Sequence, residues 1–350
     1  MLTQAAAATK PLPRLFATDV SNTDIQVTDY TIASLTCVLD KAGAVRCWGP
    51  GYRLDARTTQ GWRSPQLVPE LSRGVRELAG STACALTDKG ALLCPEPSKG
   101  TLRWTPVRGL NSGVVSGASG TCVLKKGGVP WCVVPDSAPK RATAVVGVKG
   151  AVQVAGTAGF GCAVGAKGAV QCWGRWSQGA GAPIRNHGAT TVAGLPAGIV
   201  EIDAVENTID RTTYHALVAR TRNNRVYAIY NIGRPRAQLA TYRLPSDAKR
   251  LAGDGSGCHI NTRGALACEL GKVGPGMQGP TIPAIGGAGA DEAAAVSMGT
   301  SISGVVARTD GTVVNWNEYE SWPPSTLLGD GLVLARKHPA SPLGFERRDR

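Results

Sequence analysis

The ten cysteines are the residues of this 350-residue chain whose spacing first suggests chemistry. They fall into five pairs, each with nine residues between its members: Cys37 and Cys47 (CVLDKAGAVRC), Cys84 and Cys94 (CALTDKGALLC), Cys122 and Cys132 (CVLKKGGVPWC), Cys162 and Cys172 (CAVGAKGAVQC), and Cys258 and Cys268 (CHINTRGALAC). Thiols could hold a metal, stay reduced in a core, or bridge. Metal sites use C-x-x-C knuckles or histidine partners at short spacing, and neither occurs, so no metal or other cofactor is expected. Bridging fits better. Each segment reads as a β-hairpin with a Gly just past its midpoint. Folding Cys84–Cys94 about Lys89 sets the two cysteines directly opposite, where Cα atoms lie ~4.5 to 5.5 Å apart, within reach of a disulfide. Two more segments, His215–Asn231 and Gly304–Trp316, keep the shape with neither cysteine, and no segment has only one. Five intact bridges imply an oxidising compartment: periplasm, cell surface or exterior.

Other reactive side chains do not assemble into a motif. His187, His215, His259 and His338 lie in four different stretches with no carboxylate at triad or ligand spacing. Gly274–Gly279 matches G-x-G-x-x-G, but Pro275 and Pro280 interrupt it and no helix pattern follows. Catalysis is therefore not expected. The richer chemistry is that of binding. Residues 50–64 carry Tyr52, Arg53, Arg57, Trp62 and Arg63, and residues 175–190 carry Arg175, Trp176, Arg185 and His187. A third stretch carries Arg234, Arg236, Tyr242 and Arg243. Trp, Tyr and Arg dominate interface hot spots, so the first two sets are the candidate partner-binding residues. Trp48 and Trp173, each followed by Gly, are expected to pack between repeats.

The elements that hold these loops repeat. The seven hairpins recur roughly 40 to 55 residues apart, the period of propeller blades rather than of short solenoid coils. In Cys84–Cys94 alternation puts Leu86 and Leu92 on the cysteine face and Ala85 and Leu93 on the other. Asp88-Lys89-Gly90 forms a three-residue loop whose Gly takes a positive φ. A short apolar strand precedes the hairpins, as in Val75–Ala79, 152–155, 199–202 and 249–252. After some comes Trp-Gly, then a variable stretch, then a run such as Pro65-Gln-Leu-Val68, Pro106-Val-Arg-Gly-Leu110 or Val192-Ala-Gly-Leu195. Gly numbers 45, hydrophobic residues make up 43% and charged residues 18%, which suits many short strands joined by turns and excludes a disordered chain.

The string "apolar strand, Gly turn, C/H-A-L, turn Gly, V-x-C-W-G, variable loop, P-x-x-V-x-G-L" resembles the regulator-of-chromosome-condensation repeat over residues 27–316. The match is weaker at Cys122–Cys132, where Pro130 interrupts a strand and Trp-Gly is missing, and weakest in the 215–231 unit, with its longer hairpin approach. The resemblance implies an all-β, seven-bladed β-propeller of four-stranded blades. With cross-strand bridges in five of them, it is similar to the exported bacterial branch of the family, which includes protein inhibitors. Residues 1–350 are then one domain, with 27–316 as the seven repeats and 317–350 as a C-terminal segment. Ring closure is expected from residues 1–26, particularly Leu15-Phe16-Ala17, joining the last blade. Residues 332–335 are the alternative.

The charge balance is +13, from 38 Lys and Arg against 25 Asp and Glu. The basic residues are scattered, without a stripe interleaved with aromatics, which argues against nucleic acid. No stretch reads as membrane-spanning, and residues 1–10 lack the basic and apolar regions of a signal peptide. The expected function is a non-catalytic, exported, monomeric scaffold binding a protein or an acidic surface polymer, as an adhesion or surface-assembly module or an inhibitor. Alternatives are an intracellular guanine-nucleotide exchange or chromatin-type regulator, which the paired cysteines oppose, and a propeller enzyme such as a lyase or glycan hydrolase.

Overall fold

The computed structural model describes residues 17–28, 31–49, 62–79, 83–98, 101–117, 119–134, 140–157, 159–177, 184–209, 212–230, 238–243, 248–251, 258–261, 266–269, 281–285, 293–298, 303–308 and 313–317. These form seven sheets in chain order, each a meander of antiparallel strands. Blade one is β1 (Ala17–Thr28), β2 (Thr31–Asp40), β3 (Val45–Gly49) and β4 (Trp62–Leu67), followed by a 3-10 turn at Pro69–Leu71. Blade two is β5 (Val75–Ala79), β6 (Cys84–Thr87), β7 (Leu92–Ser98) and β8 (Thr101–Pro106). Blade three has β9 (Val114–Gly117), a two-residue β10 (Ser119–Gly120), β11 (Cys122–Lys125), β12 (Val129–Val133) and β13 (Ala142–Ala144). Blade four is β14 (Ala151–Gly156), β15 (Phe160–Gly165), β16 (Val170–Ser177) and β17 (Ile184–Thr191), with β10 joining it in parallel beside β14. Blade five is β18 (Ile199–Ile209), β19 (Thr212–Thr221), β20 (Arg225–Tyr230) and β21 (Gln238–Arg243). Blade six is β22 (Ala248–Leu251), β23 (Cys258–Asn261), β24 (Leu266–Glu269) and β25 (Thr281–Ile285), and blade seven has β26 (Ala293–Met298), β27 (Ser303–Arg308) and β28 (Val313–Asn317). The chain is a seven-bladed β-propeller.

The turn between the second and third strands explains the cysteine spacing. In blade one Gly43 N–H donates to Asp40 O and Asp40 N–H to Ala44 O, closing a three-residue loop. Thr87 with Ala91 and Gly165 with Ala169 close theirs in the same way. The closing pair is four apart in sequence and hydrogen-bonded. Three register steps outward the separation is ten, and the pair is of the non-hydrogen-bonded kind, where side chains come closest. Cysteines occupy that slot: Cα–Cα distances are 4.1 Å in Cys37–Cys47 and Cys84–Cys94, and 4.0 Å in Cys122–Cys132 and Cys162–Cys172, all four disulfide-bonded. Cys258 faces Cys268 in the same register. In blades five and seven the slot pairs Val218 with Ala228 and Val305 with Asn315.

The third loop residue is Gly43, Gly90, Gly128 or Gly168, with φ between +70° and +80°, and Asn224 in blade five, with φ +58°. Asn is the non-glycine residue that best tolerates this region. These glycines also touch the next blade. Val75 N–H donates to Gly43 O, Val114 to Gly90 O and Ala151 to Gly128 O, each at 3.0 Å. A Cβ on Gly90 would stand 2.9 Å from Val114 O, and one on Gly128 2.6 Å from Ala151 N.

The core lies between blades. Cys84, Leu86, Leu92 and Cys94 pack with Val114 and Val123 of blade three, while Ala85 and Leu93 pack against Leu39 and Val45 of blade one, as the alternation predicts. Equivalent layers join blades three and four and blades four and five. Trp48 and Trp173 are buried, and Trp173 packs in the layer between blades three and four, as expected. Trp104, which no sequence signal singles out, is buried with its Nε1 donating to Ala83 O at 2.8 Å.

Two expectations are revised. β12 runs through Pro130, opposite Leu124. That pair is non-hydrogen-bonded, so the missing N–H faces away from β11, and Pro130 O still accepts from Val145 N–H. The described part of the N-terminal segment, from residue 17 on, does not enter the last blade. It is the first strand of blade one, paired with β2 from Ala17↔Asp40 to Thr28↔Thr31. Leu15, Phe16 and residues 332–335 lie outside the described residues.

Two outcomes follow. Alkylation with intact-mass counting is expected to find no free thiol before reduction and ten after it; thiols free in the native protein contradict the bridges. Gly90→Ala is expected to cost about 2 to 4 kcal/mol of unfolding free energy, from a strained φ plus overlap with Val114. Gly127→Ala, at φ +90° with nothing within 4 Å of the added carbon, should cost about 1 to 2 kcal/mol in the same denaturant titration.

Candidate functional site

Antiparallel meanders give the propeller two unlike faces. The three-residue turns and the connectors between blades lie on one, here the turn face. The ends of the first hairpin of each blade and the links from third to fourth strand lie on the other, the loop face. Turn-face geometry is nearly constant, but the loop face is not. Its third-to-fourth-strand links span residues 50–61, 99–100, 134–141, 178–183, 231–237 and 270–280 in blades one to six.

The first hairpins differ as well. In blade four β14 and β15 pair as far as Gly156↔Gly161. The matching pair in blade one is Asn22↔Thr36, and pairing continues to Thr28↔Thr31. In blade five it is Ala204↔Leu217, and pairing continues to Ile209↔Thr212. At about 3.3 Å per residue, each hairpin projects roughly 16 Å beyond the end of blade four. Blades one and five are four steps apart one way round the ring and three the other, so the projections flank the loop face from nearly opposite sides. The long approach in the fifth unit was visible in the sequence, but that in the first was not.

The predicted binding residues divide by position. Tyr52, Arg53 and Arg57 lie outside the described residues. Trp62 and Arg63 begin β4, with Trp62 opposite Gly49 at the loop-face end of blade one. Residues 175–190, expected as a loop, are mostly strand. Arg175 and Trp176 continue β16, Arg185 and His187 belong to β17, and the register pairs Trp176 with Arg185 and Gly174 with His187. The Trp-Gly step does not end the strand, because Gly174, at φ +118°, still pairs with Phe160 and bends the chain on toward β17. The loop is thereby cut to 178–183. Tyr242 and Arg243 lie at the far end of blade five, opposite Val226 and Arg225 near the turn face, so they do not join this group. Arg234 and Arg236 lie outside the described residues. The loop face thus brings Trp62, Arg63, Arg175, Trp176, Arg185 and His187 to the same end of two blades.

Polar side chains also join blades, at the turn-face end for Gln153, Glu201 and Arg220. Gln153 Oε1 accepts from Ile202 N–H at 2.9 Å, and its Nε2 donates to Ile202 O at 3.3 Å, joining blade four to blade five. Glu201 holds Arg220 Nε at 2.7 Å and accepts from Leu251 N–H at 3.0 Å, joining blade five to blade six. Arg220 also donates to Asn224 Oδ1. Lys140, mostly buried, has its ammonium pKa lowered by desolvation, an effect Glu96 partly offsets, and its backbone N–H donates to Glu96 at 2.6 Å. His187, His215 and His259 stand in three different blades, and among the described residues no group of three or more His, Cys, Asp or Glu could hold a metal. No helix among them is long and apolar enough to cross a membrane.

Comparison with known proteins matches this architecture. A structure of the BP39L lectin from Burkholderia pseudomallei aligns with TM-score 0.53 at 13% identity, covering 85% of this chain and 95% of that one. A structure of yeast RCC1 (Prp20) bound to Kap60 aligns with TM-score 0.52 at 15% identity, covering 76% of each. No family model and no curated sequence matches the chain. The likeness is one of fold: an RCC1-like propeller whose frame is shared with a bacterial lectin.

Strand pairing in blade four is open to direct test. In amide hydrogen exchange, backbone N–H groups of 184–191 are expected to exchange more slowly than those of 178–183. Equal, fast exchange across 178–191 would restore the loop.

Proposed function

We propose that this chain is an exported, non-catalytic member of the RCC1-like propellers. In this reading it captures an acidic macromolecule, a protein or a surface polymer, on its loop face. The observation that carries the proposal is the contrast between the two faces. The turns keep one length from blade to blade, while the links on the loop face run from residues 99–100 in blade two to 50–61 in blade one. Those links and strand ends carry Trp62, Arg63, Arg175, Trp176, Arg185 and His187, together with Tyr52, Arg53 and Arg57. A rigid frame that varies only at one end suits recognition, since loops on a fixed scaffold change partner without refolding the core. A net charge of +13 favours an acidic partner and speeds encounter with it. The disulfides support export, because such bridges persist in oxidising surroundings. The long hairpins of blades one and five add walls to the same face.

The test is partner capture from extracellular and surface fractions with the protein immobilised. Replacing Arg53, Arg63, Arg175 and Arg185 together by Gln is expected to weaken capture at least tenfold, with the thermal transition unchanged. Capture that survives this substitution removes the loop face as the main contact.

A further inference from the structure

The turn face has a charge pattern of its own. Each described turn carries an exposed cation at its first or second loop position: Lys41, Lys89, Lys126, Lys167 and Arg222, in blades one to five. The two acids in these turns are Asp40 and Asp88. Asp40 Oδ1 is engaged by the amides of Ala42 and Ala44 in its own turn, at 2.9 Å each. The asparagine, glycines and alanines of the loops add no charge.

The tips are held level. The strand-opening amides of Val75, Val114 and Ala151 donate to the turn glycine of the preceding blade. The turn amides of Asp88, Lys126 and Arg222 donate back to Gly74, Gly113 and Gly198, which lead into the first strands of their own blades. These bonds hold the turns of blades one, two, three and five, and the turn of blade four has the same length, so the cations form an arc at similar height.

Apolar side chains share this end. Among the described residues the exposed large hydrophobics are Leu67, Val115, Val146, Val152 and Val200. Leu67 ends the outer strand of blade one, Val146 is in the connector after blade three with 87% exposure, and the other three sit one residue into the first strands of blades three, four and five. All five lie at the turn-face end. In every blade that second residue is a β-bulge: Thr18, Arg76, Val115, Val152, Val200, Lys249 and Ala294 are each skipped in the pairing of first and second strands. A bulged residue is released from the ladder, which explains how valine comes to be exposed there.

We infer that the turn face docks on an anionic phospholipid bilayer. An arc of cations at similar height engages many headgroups at once, whereas a linear polyanion would follow a stripe and reach only two or three tips. Exposed apolar side chains beside cations suit the boundary between headgroups and acyl chains. Docking by this face leaves the loop face pointing away from the membrane, and it is independent of what the loop face binds.

The experiment is co-sedimentation of the full chain with vesicles of phosphatidylglycerol and phosphatidylcholine, and with phosphatidylcholine alone. Binding to the anionic vesicles is expected, falling steeply between about 50 and 500 mM salt, with none to the neutral ones. Near a charged surface each Lys or Arg changes partitioning roughly fivefold. Replacing Lys89, Lys126, Lys167 and Arg222 together by Gln should therefore lower it at least ~100-fold, and each single replacement about fivefold, which keeps the test usable if the combined variant unfolds. Val146→Ser with Val152→Ser should weaken binding without changing its salt dependence. The Arg53, Arg63, Arg175, Arg185 variant should bind vesicles as before. Failure of the unaltered chain to bind anionic vesicles overturns the inference. So does binding of soluble dextran sulfate with no binding to vesicles, which would make the turn face a site for linear polyanions.

Discussion

The structure depends on one backbone contact repeated at the three junctions from blade one to blade four: the carbonyl of a turn glycine accepting the first strand amide of the next blade. For this bond to form, the turn must place its third residue in the left-handed region and bring it against neighbouring backbone with no side chain between. Gly43, Gly90 and Gly128 satisfy both needs, and a Cβ on any of them would meet Val75, Val114 or Ala151 at 3.0 Å or less. Closing the turn in this way sets the hairpin register. The register sets which residues face each other three steps on, and those are the cysteines. Turn, bridge and blade contact are therefore consequences of one geometry.

Because each blade touches mainly its neighbours, stability is a chain of local interfaces closed into a ring, as in other repeat folds. The apolar layers between blades one and two, two and three, three and four, and four and five are separate clusters of this kind. Constraint is concentrated at the turn face, and at the loop face the same strands can run on, as β1–β2 and β18–β19 do, without disturbing the layers. Variation gathers at that end, where the strands can extend past the apolar layers.

How much of this could be read from the sequence follows from which residues carry a unique constraint. The cysteine pairs and turn glycines were legible, since a separation of ten and a positive φ admit few residue types. So was the alternation of Ala85, Leu86, Leu92 and Leu93, because both faces are buried against different blades. The bulge was not legible, although all seven blades have it: its occupants are Thr, Arg, Val, Lys and Ala, since a residue outside the ladder meets no pairing constraint on its side chain. The extension of β16 and β17 was hidden because Arg175, Trp176, Arg185 and His187 have the composition of a binding loop, and pairing across open strand ends demands no particular side chain. The position of Tyr242 and Arg243 was not legible for a related reason. Their distance along the chain from the hairpin says nothing of which end of the strand they occupy.

The bridges themselves do not hold the ring together. All four described disulfides are within a blade, and each closes a ring with a sequence separation of 10, so each chiefly limits the unfolded hairpin, worth at most about 3 kcal/mol. The two blades without cysteines, five and seven, are separated by blade six, so each has a neighbour with a cysteine pair on both sides. The turn of blade five is closed by polar contacts, of which the threonine pair also occurs between Thr87 and Ala91 in blade two. Thr221 Oγ1 bonds both the N–H and the carbonyl of Arg225 across the turn, Arg220 spans to Asn224, and Leu217, Val218 and Ile229 are buried. Arg220 is held in turn by Glu201, which also takes the amide of Leu251 in the next blade. Blade five is thereby tied to blade six by a polar link from Glu201.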